Sequence, residues 1–172
     1  MAVFGDAQFA DVAYFQNARF TGRTDFRGAQ FTGAVDFRYA QFPNFASFRG
    51  VQFTGEADFG SAQFAGAVDF RVTRFTGMTD FRDAQFTQNG ASFTGAQFTG
   101  RTHFTRAQFT GKGLLWGSHF TGSADFGRAR VASAAEPGSD WPPAWTTRPA
   151  DPNNGEDPTF LYLTKVKKSP DA

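Results

Sequence analysis

The sequence predicts an all-β fold, a β-solenoid in which very short strands stack coil upon coil. Three observations predict it. Phenylalanine recurs at alternating intervals of five and six residues from Phe4 to Phe126. The residue two before each of these positions is small or β-branched while the immediate neighbours are polar, and glycine punctuates the longer intervals. A self-similar period of this kind marks units that bury their apolar face only against one another.

The unit is eleven residues long and reads x-small-Asp-Phe-Arg-x-Ala-Gln-Phe-Thr-Gly, as in residues 23–33, with Thr24 to Gly33 following the leading x. Its two apolar slots recur 24 times up to Val131, and 22 of them hold Phe, with Leu115 and Val131 in the others. The structural core is therefore expected from Phe26, Phe31, Phe37, Phe42, Phe48, Phe53, Phe59, Phe64, Phe70, Phe75, Phe81 and Phe86. Alternation with period two is the signature of a strand with one buried face, so the small residue and the Phe point inward together. The pattern restarts after five or six residues, and the chain must turn there. Glycine two residues after the Gln-side Phe, as at Gly22, Gly33, Gly55 and Gly77, is expected to supply a positive φ at the longer corner. The single break of period, Thr87-Gln88-Asn89-Gly90, carries a turn-forming Asn-Gly pair and is expected to bulge outward without disturbing the stack.

These residues resemble the pentapeptide repeat proteins, whose unit centres on Leu or Phe with Ala two before and Asp or Asn one before. Ala57-Asp58-Phe59, Ala124-Asp125-Phe126, Ala46-Ser47-Phe48, Ala91-Ser92-Phe93 and seven Ala-Gln-Phe triplets carry the likeness across residues 2–131. The Phe-rich, alternating form is similar to a variety common in actinobacterial sequences, which implies a bacterial chain. The resemblance implies a right-handed quadrilateral β-helix with the central residue stacked inside. Four sides per coil then give about six coils and a shaft ~29 Å long. Residues 1–131 read as the solenoid. Residues 132–172, rich in Pro and Asp, read as a C-terminal cap, with Trp141, Trp145 and Phe160 covering the apolar end of the last coil.

Composition narrows the function classes. The 172 residues contain no cysteine, which removes disulfides, thiolate catalysis and cysteine-ligated metal. The repeat carries 13 Lys+Arg against 10 Asp+Glu and the tail 4 against 6, within a chain of net charge +1, so neither part has a field that calls for nucleic acid. No apolar run approaches a membrane span, and no basic-then-apolar leader follows Met1, which points to the cytoplasm. There is no phosphate-binding loop, serine elbow or HExxH, and His103 and His119 lie 16 residues apart. The chain reads as a non-enzyme that needs no cofactor and no metal.

Function has to be sought in columns of residues 22 apart. Tyr14, Asp36, Asp58, Asp80, His103 and Asp125 make one column, with Arg two residues after several of the acids, which reads as a laced ionic surface. Gln columns are expected to form amide ladders. Arg27, Arg49 and Arg71 form a short basic column able to meet phosphate, beside Asp25 and Asp69; Phe45 is the one repeat-region Phe outside the slots. These four are the candidate surface contacts. The leading reading is a structural or protein-interaction solenoid with an unidentified protein partner. The resemblance adds a second: some members imitate duplex DNA and bind DNA gyrase, giving topoisomerase protection and quinolone resistance, a task that asks for an acidic surface. Ice binding through the Thr32, Thr54, Thr76, Thr99 and Thr121 column is the third. Phe4 already fills the first slot, so either sequence is missing upstream or the first coil stacks on another molecule, such as a second copy.

Overall fold

Two-residue strands dominate the computed structural model, which describes residues 1–87, 90–111, 113–115, 117–132 and 145–165. Each eleven-residue unit contributes two of them, one just before its first Phe (Ala57–Asp58) and one ending on its second (Gln63–Phe64). A strand pairs in parallel with its counterpart in the next coil, 22 residues on: Ala57 lies beside Thr79, and Phe64 beside Phe86. The result is a four-sided β-helix of about six coils. Its first face runs from Ala2–Val3 through Ala46–Ser47 to Gly113–Leu114, the second from Gln8–Phe9 to His119–Phe120, the third from Ala13–Tyr14 to Ala124–Asp125, and the fourth from Gln41–Phe42 to Arg130–Ala132. Across the inserted residue the offset grows by one, pairing Val68 with Ala91, and the ladder continues. Gln88 and Asn89 lie outside the described residues.

The strands are short because the chain turns immediately after each Phe. Within the unit, the Phe59 carbonyl accepts from the Ala62 N–H at 3.0 Å, closing a β-turn. The residue two after each first Phe, Ser61 here, is left-handed, with φ of 51–70° along the whole shaft. Here the glycine expectation is corrected. The left-handed corners are these, and Gly22, Gly33, Gly55 and Gly77 do not adopt positive φ. What position 77 requires is closeness, because a Cβ there would fall on the Gly55 carbonyl of the coil beneath.

All twelve core Phe named above are exposed by 1% or less. Rings one coil apart lie nearly parallel, as in Phe26–Phe48 at 5.1 Å and 8° or Phe9–Phe31 at 4.5 Å and 2°. The spacing is the inter-strand rise, so backbone pairing and ring stacking enforce one another. Rings on opposite sides meet edge to face, Phe26–Phe37 at 5.5 Å and 85°. Small side chains such as Ala29, Ala57 and Ala62 fill the space between.

The outward polar columns behave differently from one another. Thr54 Oγ1 donates to the Phe31 carbonyl at 3.1 Å and Thr76 Oγ1 to the Phe53 carbonyl at 3.2 Å, so these hydroxyls serve the backbone of the neighbouring coil. The Gln side chains stand in register, Gln63 beside Gln85, yet among the described residues no hydrogen bond joins them, so the amide ladder does not form. Exposed amides keep their water instead.

Beyond the last coil, Phe160–Lys165 pairs antiparallel with Arg130–Ala132, and Trp145–Pro149 pairs antiparallel with Phe160–Lys165. Trp145 presses on Phe126 at 5.3 Å, Leu163 is buried, and the Leu163 N–H donates to the Ala129 carbonyl at 2.9 Å. Leu161 packs on the same core, whereas Phe160 is half-buried under the Arg130 guanidinium at 4.4 Å. Trp141 lies outside the described residues. Among those residues no helix is long and apolar enough to cross a membrane.

Candidate functional site

The first face carries a groove of about 530 Å³ in which Arg27, Arg49, Arg71 and Phe45 come together. Each Arg follows the outward residue of a strand by two positions, where the backbone bends into the turn. At two of the three levels that outward residue is aspartate. Asp25 accepts from Arg27 Nε at 2.9 Å and Nη2 at 2.6 Å, and its Oδ1 also accepts from the Arg27 backbone N–H at 3.0 Å. Asp69 holds Arg71 in the same way, at 2.9 and 2.8 Å. The Arg27 hydrogen bonds keep the Asp25 carboxyl below the usual carboxylate range, against the opposing effect of burial.

Serine replaces aspartate at the middle level. Ser47 is buried between Asp25 and Asp69 in the ladder. Its Oγ lies 3.5 Å from the Arg49 backbone nitrogen and offers nothing to the guanidinium. Among the described residues, Arg49 is thus an exposed cation without a carboxylate partner, set between two neutralised pairs. Phe45 lies at the groove's edge, half-buried, with the Arg23 guanidinium 5.0 Å from its ring centroid. An unpaired guanidinium beside an aromatic ring in a concave strip is suited to gripping a carboxylate or another planar anion.

The third face shows the complementary defect. Asp36 and Asp80 pair with Arg38 and Arg82, but Gly60 stands where an Arg is expected beside Asp58. Asp58 Oδ1 accepts from the Gly60 N–H at 2.8 Å, and Arg38 Nε reaches its other oxygen only at 3.5 Å. Burial raises the Asp58 carboxyl, and Asp80 and Asp36 on either side add to the effect. Tyr14, Asp36, Asp58, Asp80, His103 and Asp125 do stand in one register column. Among the described residues no group of three or more His, Asp or Glu is placed to hold a metal ion.

Sequence reasoning singled out Arg27, Arg49 and Arg71 together and took Asp25 and Asp69 to mute all three. It missed that Ser47 exempts Arg49, although the signal stood in the chain as Ser where Asp occupies positions 25 and 69. The Arg23–Phe45 contact was missed as well, although the two residues lie 22 apart and so share a column one coil apart.

A family model described as "Pentapeptide repeats (9 copies)" matches residues 1–41, 15–63 and 59–108, more than half of the chain. No curated protein and no solved structure matches it.

Proposed function

Since the chain belongs to the pentapeptide repeat family, we propose that it is a rigid, non-enzymatic interaction solenoid that holds a protein partner against its first face. The observation that carries this reading is Arg49, left without a carboxylate between two completed Asp–Arg pairs and bordered by Phe45. Interfaces draw most of their affinity from a few Arg and aromatic anchors in a desolvated centre. A buried Phe ladder gives such anchors a stiff base, because each ring is fixed between its neighbours. The partner is expected to present an acidic side chain to Arg49 and an apolar one to Phe45.

The test is affinity capture from the native cell with the intact chain and with folded Arg49→Glu and Phe45→Ala variants. A protein held by the intact chain and lost by both variants supports the reading. Capture that ignores both substitutions overturns it. The duplex-mimic alternative draws less support, because Asp25, Asp36, Asp69 and Asp80 each carry their own Arg and present little bare negative charge. Ice binding draws less as well, because Thr54 and Thr76 turn their hydroxyls to the backbone.

A second copy is the occupant we propose for the open side of the first coil. There Phe4, Phe9, Phe15 and Phe20 are only partly buried, and Met1 and Val3 are 83% and 63% exposed. Sedimentation that shows a dimer dissociated by Phe9→Glu supports this; a monomer at every concentration overturns it.

A further inference from the structure

A second cleft, of about 420 Å³, lies where the last coils meet the hairpin of Trp145–Pro149 and Phe160–Lys165. Three elements build it. Arg106 and Arg128 project from left-handed corners one coil apart, with φ of 59° and 57°. Arg130 comes from the last solenoid strand and Arg148 from the hairpin. Pairing brings Gln108, Arg130, Tyr162 and Arg148 side by side in one row across the fourth face.

Four guanidinium groups here face two carboxylates, and both carboxylates are already engaged. Asp83 receives Arg106 through two bonds of 2.6 Å. Glu156 receives Arg148 through two bonds of 2.7 Å and the Asp151 N–H at 2.8 Å. No carboxylate lies within ion-pair distance of Arg128 or Arg130 among the described residues, although Arg128 acts on Glu156 and Arg130 on Asp157 at longer range. Arg130 stacks its guanidinium face on Phe160, a contact that leaves its N–H donors unused. The surplus is two positive charges with several free donors in a concave site.

We propose that this cleft binds a phosphate group, free or as a monoester, held as the dianion by Arg128 and Arg130. A monoester near neutral pH carries close to two negative charges and three acceptor oxygens. That matches the surplus in charge, and guanidinium forks suit its geometry. A carboxylate would neutralise half of the surplus. The site is separate from the first-face groove and stands or falls independently of it.

Isothermal titration of the full chain at low ionic strength tests the assignment, with inorganic phosphate, a short phosphoserine peptide and acetate as probes. Phosphate is expected to bind at pH 8 and at least ten-fold more weakly at pH 5.5, where it is a monoanion. Arg128→Gln is expected to lower the affinity about ten-fold and Arg74→Gln, at an exposed position of the second face, to leave it unchanged. Tighter binding of the peptide than of phosphate assigns the site to a phosphorylated chain; equal binding assigns it to free phosphate. Acetate binding as tightly as phosphate overturns the proposal. So does an absence of saturable binding, or an affinity untouched by Arg128→Gln in a protein whose circular dichroism is native.

Discussion

Gly77 lies so close over Gly55 that a side chain at position 77 has nowhere to go: its Cβ would meet the Gly55 carbonyl, which belongs to backbone and cannot swing aside. Gly50 is the contrasting case, left-handed at φ +70° with nothing within 4 Å of an added Cβ. Gly77→Ala is therefore expected to destabilise by about 1–3 kcal/mol through overpacking, and Gly50→Ala by less, about 1 kcal/mol of backbone strain. Urea unfolding of the two variants checks the order. Equal losses would mean that the close contact at position 77 costs no more than the backbone strain at position 50.

Val72 sits at a left-handed corner with φ 51° and half of its side chain in water. A β-branched residue is the least suited to that conformation. Val72→Gly removes about 1–2 kcal/mol of strain and costs about 0.5–1 kcal/mol of extra chain entropy. A small net gain in stability follows, visible as a shift of the thermal midpoint upward by a few degrees. A downward shift would show that the exposed Val72 methyls pack more than their exposure suggests.

The architecture was legible because one physical demand repeats. A Phe at every slot has to return to a common axis, and the resulting five–six rhythm admits no long helix or strand. The corners were less legible. Asp6, Asn17, Gly28, Gly50, Asp83, Gly95 and Gly117, residue types that tolerate φ > 0, all fall two after the first apolar slot of a unit, which is a usable signal. Tyr39, Val72, Arg106 and Arg128 at the same position obscured it, because stacking overrides local preference there. Gly33 and Gly55 were read by the commonest use of glycine, while their contact partner lies 22 residues away and cannot be seen locally. The first-face groove was legible in its cations and in the aspartates beside two of them, and the exemption of Arg49 was written in the chain as Ser47 but needed the pairing geometry to be recognised. The cleft beside the hairpin had no sequence signal, since it needs the antiparallel return of Phe160–Lys165 along Arg130–Ala132.

Restoring the missing acid is a direct check on Arg49. Ser47→Asp places a carboxylate two residues before Arg49, the relationship that binds Arg27 to Asp25. An arginine-selective dicarbonyl is expected to label Arg49 faster than Arg27 or Arg71 in the natural sequence, since those two are held bidentate. In Ser47→Asp the Arg49 rate is expected to fall to that of its neighbours, and capture of the protein partner to fall with it. Stability is expected to change by no more than about 1 kcal/mol, the range for exposed ion pairs. Peptide mass mapping reads the labelling, and a rate for Arg49 that matches Arg27 before substitution would remove the premise of a free guanidinium.

Acid is expected to loosen the hairpin before the shaft. Arg148 holds the Glu156 carboxyl down, from the ordinary 4.5 to about 2, and the Asp151 N–H helps. The folded state therefore binds fewer protons than the unfolded one between these values, so the stabilisation is complete above pH 4.5 and lost as pH falls towards about 2. Asp58 runs the other way. Its carboxyl is raised by burial, so its charged form disfavours the fold, and protonating it as pH falls relieves that cost in the shaft. Asp25 and Asp36 are lowered by their Arg partners and weaken the shaft in acid as Glu156 weakens the hairpin, but Asp58 opposes them in the shaft, and no raised carboxyl opposes Glu156 among the described residues of the hairpin. The Leu163 amide, bonded to Ala129 across the hairpin junction, is expected to lose hydrogen-exchange protection as pH is lowered from 4.5 towards 2, while the Phe59 amide, bonded to Asp80 inside the shaft, keeps its own. Glu156→Gln is expected to lower Leu163 protection at neutral pH and to abolish its acid dependence. If Leu163 protection falls with acid equally in both proteins, the Arg148–Glu156 pair is not what fastens the hairpin.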